Sequence, residues 1–141
     1  MKLLILFVFA AIVFYSCSKD EPAKLETFST EAFAYDLGNS WEVNATTRVK
    51  GFSQAEEDDN FSATIAYEID LVKPSGDTIK ALISKVEDKT EKEKIMDIPI
   101  EAQFELDSTY AEGEYKILFR LKDPATEQTA VSSVSLQIEN E

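Results

Sequence analysis

The sequence predicts an all-β fold, a two-sheet antiparallel β-sandwich of about seven strands. Three observations carry that prediction. Apolar and polar residues alternate at period two in segment after segment, while the 3.6-residue period of an amphipathic helix is hard to find. All four glycines and three of the four prolines fall in or beside the connections between those segments, or at their ends, as sheet interiors require. Alternation on one face over many strands means sheets that are wet on one side and packed on the other, and two such sheets bury their apolar faces against each other.

The elements follow in chain order. Lys2 precedes an uncharged run, Leu3 to Tyr15, too short to cross a bilayer comfortably, since a spanning helix needs about 20 apolar residues. A positive start and a short apolar core are the layout of a secretory signal peptide over residues 1–16, absent from the mature protein. The stretch Phe14-Tyr15-Ser16-Cys17 resembles a bacterial lipobox, in which a small residue precedes a lipid-modified cysteine. It departs from the usual pattern in Phe14, where Leu is common, and in Tyr15, where a small residue is. The resemblance implies that Cys17 becomes the first mature residue and carries a thioether-linked diacylglycerol and an N-acyl group. Stable attachment takes at least two acyl chains, each buried CH₂ contributing about 0.8 kcal/mol. Residues 17–26 then form a tether. In it Ser18-Lys19-Asp20-Glu21 resembles the surface-export signal of outer-membrane lipoproteins of one Gram-negative phylum; the plainer alternative is an acidic spacer facing the periplasm.

Residues 27–141 are expected to be the sandwich. Thr27 to Tyr35 is a weak strand candidate, ended by the turn Asp36-Leu37-Gly38-Asn39-Ser40. Trp41, Val43, Ala45, Thr47 and Val49 face one way, with Glu42, Asn44, Thr46, Arg48 and Lys50 opposite. The acidic run Glu56-Glu57-Asp58-Asp59-Asn60 reads as a solvated hairpin loop. Phe61, Ala63, Ile65, Tyr67, Ile69 and Leu71 form a second inward set. Pro74-Ser75-Gly76-Asp77 is a tight turn, Pro presetting φ and Gly free to take positive φ, and it leads into a weak strand from Thr78 to Val86. Glu87 to Lys94 mixes both signs of charge without an apolar stripe, and is expected to be a loop or one helical turn between the sheets. Ile98, Ile100, Ala102, Phe104 and Leu106 form the next inward set, with Glu101, Gln103 and Glu105 on the wet side and Pro99 near a strand start or on an edge. Tyr115, Ile117, Phe119 and Leu121 follow. After the turn at Asp123-Pro124-Ala125-Thr126, Val134, Leu136 and Ile138 close the chain.

Leu106 to Tyr115, with Gly113-Glu114-Tyr115 opening a strand that runs to Asp123, resembles the last third of bacterial immunoglobulin-like and cadherin-like modules over about 35 residues. The resemblance implies an immunoglobulin-like sandwich, whose typical size is about 100 residues. It makes Tyr110 or Tyr115 a tyrosine-corner candidate, with a hydroxyl bonded to backbone at the strand crossover. In calcium-dependent relatives the terminal Asp is followed by further ligands; here Asp123 is followed by Pro124, Ala125 and Thr126.

Composition narrows the chemistry. The chain has no histidine and one cysteine, which excludes Ser-His-Asp and Cys-His catalysis, intramolecular disulfides and cysteine-based zinc sites. A net charge of −13, from 27 acidic and 14 basic residues, argues against nucleic acid as a partner. Glu56, Glu57, Asp58 and Asp59 are the best calcium candidates by oxygen count, but they lack the spaced Asp-x-Asp-x-Asp-Gly geometry that wraps one ion; otherwise no cofactor is expected. Thr78 in Asp77-Thr78-Ile79 and Ser108 in Asp107-Ser108-Thr109 resemble O-glycosylation acceptors of the same bacterial phylum. Trp41, Phe33 and Tyr35 are aromatics that suit a sugar ring, Trp41 leading an inward series and therefore read as core. The expectation is a non-enzymatic, lipid-anchored binding or scaffold module of the outer membrane, its partner a protein or a glycan. The alternatives are a small carbohydrate-binding accessory lipoprotein and, furthest off, a carboxylate-dependent hydrolase.

Overall fold

Alternation in the sequence becomes alternation in burial almost residue for residue. In the computed structural model, which describes residues 23–139, Trp41, Val43, Ala45, Thr47 and Val49 are all buried while Arg48 and Lys50 face solvent. The described residues form eight strands and no helix: β1 (Glu26–Asp36), β2 (Ser40–Lys50), β3 (Ala55–Glu57), β4 (Asn60–Val72), β5 (Thr78–Glu91), β6 (Ile98–Asp107), β7 (Gly113–Lys122) and β8 (Thr129–Ile138). One antiparallel sheet runs β1-β2-β6, and the other runs β4-β7-β8 with β5 on the free side of β4 and the short β3 continuing the β7 side. The two antiparallel sheets make a β-sandwich, with β5 joined to the second sheet through β4. The core lies between the sheets: Ile65, Ile69 and Leu71 of β4 and Ile117, Phe119 and Leu121 of β7 meet Val43, Ile98, Ile100 and Leu106 of the facing sheet.

The predicted strands are all present, and three features differ from expectation. The short β3 is a strand the sequence did not single out; it closes the expected hairpin of the acidic run, with Glu57 opposite Asn60 and Asp58-Asp59 as its two-residue loop. Glu87 to Glu91 is strand, not a loop or helical turn: β5 continues along β4, placing Glu87 opposite Ile65 and Glu91 opposite Phe61. The reason lies at the edge. An edge strand overhanging the sandwich needs no apolar face, and its charges, with Lys89 bonded to Glu91 at 2.9 Å and Asp88 accepting from Thr64 at 2.6 Å, guard the open edge against pairing with another chain. Leu25 and Glu26, which the sequence places in the tether, belong to the packed body: Leu25 is buried, and Glu26 pairs with Lys50.

The hairpin makes a prediction. Asp58 and Asp59 sit at φ +50° and +60°, the pairing of a type I′ turn that Asn-Gly fills at least cost. Two adjacent carboxylates held left-handed add conformational cost to like-charge repulsion. D58N together with D59G is expected to stabilise the domain by about 1 kcal/mol, read as a rise of about 4 °C in thermal melting.

Two polar ties fix the sheets. Asp70 interrupts the inward-outward rhythm at a bulge where the β4–β5 register shifts between Ile69 and Leu71. Its Oδ1 accepts the Ala81 N–H at 2.8 Å, and Arg120 donates to both of its oxygens at 2.8 and 2.9 Å. The Arg120 bonds lower the Asp70 carboxyl against the opposing effect of burial, and the Ala81 N–H helps them. At the β6–β7 crossover, Tyr115 donates its hydroxyl to the Ala111 carbonyl at 2.6 Å. The bond reaches backbone four residues upstream. Tyr110, the other candidate, packs its ring 6.5 Å from that of Tyr115 and under Lys73. Tyr115→Phe keeps the buried ring and removes one hydrogen bond, so a loss of about 1 kcal/mol is expected in chemical denaturation; the same substitution at Tyr110 should cost less.

Candidate functional site

Strand alternation puts the even-numbered residues of β2 and the odd-numbered residues of β6 on the solvent side of their sheet. The β1 bulge between Phe28 and Glu31, with Ser29 at φ +51°, resets the rhythm so that Phe33 and Tyr35 face outward too. Two cross-strand rows result. Phe33 stands opposite Asn44, which stands opposite Gln103; Tyr35 stands opposite Glu42, which stands opposite Glu105. Phe33 and Tyr35 are 53% and 58% exposed and Leu37 beyond them is 58% exposed, so large apolar side chains lie exposed next to one another on this face and at its end. Asn44 donates through Nδ2 to Glu42 at 3.0 Å, linking the two rows. Beside them lies a depression of about 580 Å³ that crosses the sheet, from Phe33 over Asn44 and Thr46 to Glu101 and Gln103, with Lys85 of β5 at its far side. Aromatic faces, neutral amides and carboxylates on one rigid surface can stack an apolar ring face and hydrogen-bond to hydroxyls.

A larger depression of about 710 Å³ lies on the outer face of the other sheet, between Val86 of β5 and Val131 of β8, with Ala66, Arg120 and Lys122 among its lining. Its charges are already matched within the fold, Arg120 by Asp70 and Glu68 and Lys122 by Glu127.

The remaining sequence candidates scatter. Cys17 and Ser18, Lys19, Asp20 and Glu21 lie outside the described residues. Glu56, Glu57, Asp58 and Asp59 are exposed on the β3–β4 hairpin, and among the described residues no group of three or more acidic side chains is placed to hold a metal ion. Thr78 opens β5 opposite Val72 and is exposed. Ser108 is exposed in the turn after β6, where Asp107 accepts from the N–H and hydroxyl of Thr109 at 2.9 and 2.5 Å. Those two bonds lower the Asp107 carboxyl. Trp41 is in the core, at 8% exposure. Asp123 is buried, and its oxygens accept from the Ser53 N–H and hydroxyl and from the Ala125 N–H. Protein donors occupy the carboxylate that the cadherin-like resemblance would offer to calcium.

Sequence reasoning missed the grouping of Phe33 and Tyr35 with Asn44 and Gln103. The wet-side polar residues of β2 and β6 were legible individually. The signal that could have joined them to the aromatics was the pair spacing Phe33-x-Tyr35, which puts two rings on one face of a strand, but the bulge that chooses the face left no mark in the sequence.

No family model matches the chain, and no curated protein matches it. Among solved structures the chain is similar to the X-ray structure of Northeast Structural Genomics Consortium target SoR45, at 12% identity over 86% of this chain and 95% of that one, with a TM-score of 0.45. A likeness that distant bears on no functional question.

Proposed function

We propose that the chain is a lipid-anchored, non-enzymatic binding module of a bacterial outer membrane, held there through Cys17 and exposed at the cell surface. The observation that carries the reading is the N-terminal order of residues: a charged start, an uncharged run from Leu3 to Tyr15, and then Ser16-Cys17 directly ahead of a short polar tether. A lone cysteine exposed in an oxidising compartment is a liability, and acylation removes it. Ser18-Lys19-Asp20-Glu21 supports export to the outer face. The body supports a binding role: its polar ties are structural, and its exposed aromatic side chains gather on one sheet. Its acidic surface keeps it soluble and turns away polyanions.

Metabolic labelling of the source bacterium with an alkyne palmitate analogue tests the anchor. The chain is expected to take up label and to partition with membranes, and Cys17→Ala is expected to be unlabelled and released. An unlabelled wild-type chain would end the reading. Protease shaving of intact cells tests the outer face, with loss of cleavage expected when Lys19, Asp20 and Glu21 are all replaced by Ala.

A further inference from the structure

We infer that the solvent face of the β1-β2-β6 sheet is a binding site for a neutral glycan, with Phe33 and Tyr35 as stacking platforms and Asn44 and Gln103 as the hydroxyl-reading groups. The inference rests on the binding-module reading and names its ligand. Phe33 and Tyr35 are two residues apart on one strand, so their side chains leave the backbone about 7 Å apart on the same face, a spacing that successive sugar rings of one chain can span. Half-exposed rings on a regular strand are fixed in direction and lose little entropy on binding, as a stacking platform requires. Sugars are amphipathic in the complementary sense. A pyranose has an apolar C–H face for an aromatic ring and a rim of hydroxyls that both donate and accept, and an amide side chain does both in return. Asn44 and Gln103 are such amides, in register with Phe33 across adjacent strands and along the wall of the 580 Å³ depression. Asn44 is held in place by Glu42 at 3.0 Å.

Charge decides which glycan and rejects the other occupants. Glu42, Glu101 and Glu105 flank the amides and outnumber the one cation at the depression, Lys85 at its far side, on a chain of net charge −13. They accept hydrogen bonds from neutral hydroxyls but repel uronic acids, phosphorylated sugars and acidic lipid headgroups. A second copy of this chain would bring the same carboxylates against these, an arrangement an isologous interface cannot avoid.

The test uses the full-length chain purified in a detergent without a sugar headgroup. Isothermal titration is run with neutral gluco-, manno- and galacto-oligosaccharides, with oligogalacturonate as the anionic arm. At least one neutral series is expected to bind. Phe33→Ala and Tyr35→Ala should each weaken it by about tenfold, and Asn44→Ala by several-fold. Val86→Ser and Val131→Ser, on the opposite sheet, should leave it unchanged. The inference is overturned if folded protein binds none of the neutral series at millimolar sugar, if binding survives the Phe33→Ala/Tyr35→Ala double variant, or if oligogalacturonate binds more tightly than any neutral series. Sedimentation showing a dimer that Phe33→Ala dissolves, without sugar binding, would give the face to a second copy instead. Intact-mass measurement on the same preparation reports acylation at Cys17. An acylated chain that binds no sugar sinks the ligand and leaves the anchor standing, while an unacylated chain that binds does the reverse.

Discussion

Gly51→Ala is expected to be the most damaging of the glycine-to-alanine changes in this protein. Gly51 follows β2 at φ +76°, and a Cβ built there would lie 1.9 Å from the Lys24 carbonyl oxygen and 2.7 Å from its carbon. Both are backbone atoms, which no rotamer change can move aside. The left-handed conformation alone costs about 1 kcal/mol for an L-residue, and the overlap must be relieved by displacing either the turn or the first residues of the body. The cheaper retreat is the second. The Lys24-Leu25 segment is held by side-chain bonds, Gln128 accepting from the Leu25 N–H at 3.0 Å and donating to the Ala23 carbonyl at 3.0 Å, and by the burial of Leu25 itself. Losing the Leu25 contact forfeits about 2 kcal/mol more. The total, about 3 kcal/mol, should lower thermal melting by roughly 10 °C. It should also open Lys24 to trypsin well below the melting temperature, because the damage starts at the N-terminal end of β1. Gly38→Ala provides the comparison: Gly38 has φ +91° but nothing within 4 Å of its would-be Cβ, so it should show only the conformational part, about 1 kcal/mol. If the two variants melt alike, the close approach of Lys24 to Gly51 does not govern stability.

That corner also shows what the sequence could and could not disclose. Five strands were legible because burial on one face imposes period two, and each of their inward sets lines the core. The sixth and seventh, β1 and β5, were weaker because edge strands bury less: β1 carries a bulge at Ser29, and β5 has a charged second half. Reading charge as loop failed at Glu87 to Glu91, because backbone pairing with β4 asks nothing of the side chains on an open edge. Turn chemistry located Gly38 and Gly76 correctly but left Gly51 unexplained, since its constraint comes from Lys24, far off in sequence. The candidate site divided the same way. The polarity of Asn44 and Gln103 was visible along each strand, but their alignment with Phe33 depends on the registers of two sheet pairings and on a bulge, all of them non-local.

Asp123→Asn is the second large effect, and it is also the one that pH should reproduce. Asp123 is 1% exposed at the β7–β8 turn, and its oxygens accept from the Ser53 N–H at 2.7 Å, the Ser53 hydroxyl at 3.0 Å and the Ala125 N–H at 2.9 Å. One carboxylate therefore closes its own turn and ties the β2–β3 connection to it, a few residues from where Gln128 clamps the chain's entry. An amide of the same shape presents only one accepting oxygen and turns an NH₂ group toward donors. At least one buried N–H or O–H then lacks a partner, at a cost of about 1–3 kcal/mol, and the charge-assisted strength of the remaining bonds is lost as well. A destabilisation of about 3 kcal/mol is expected, with Ser53→Ala costing less because the Ser53 N–H bond survives. Burial works to raise this carboxyl, but the Ser53 and Ala125 donors overcome it and hold it below its ordinary value of 3.8. The sign follows. A carboxyl depressed in the folded state binds protons less readily there than in the unfolded chain, so its contribution is full above about pH 4 and is lost as pH falls through the folded value. Asp70, lowered chiefly by Arg120, adds to the same window. Wild-type stability should therefore fall steeply below about pH 4, and Asp123→Asn should flatten that fall while lowering the neutral plateau. A variant equal to wild type at neutral pH, or one with an undiminished acid slope, would show that the buried carboxylate is not the bond that holds this corner.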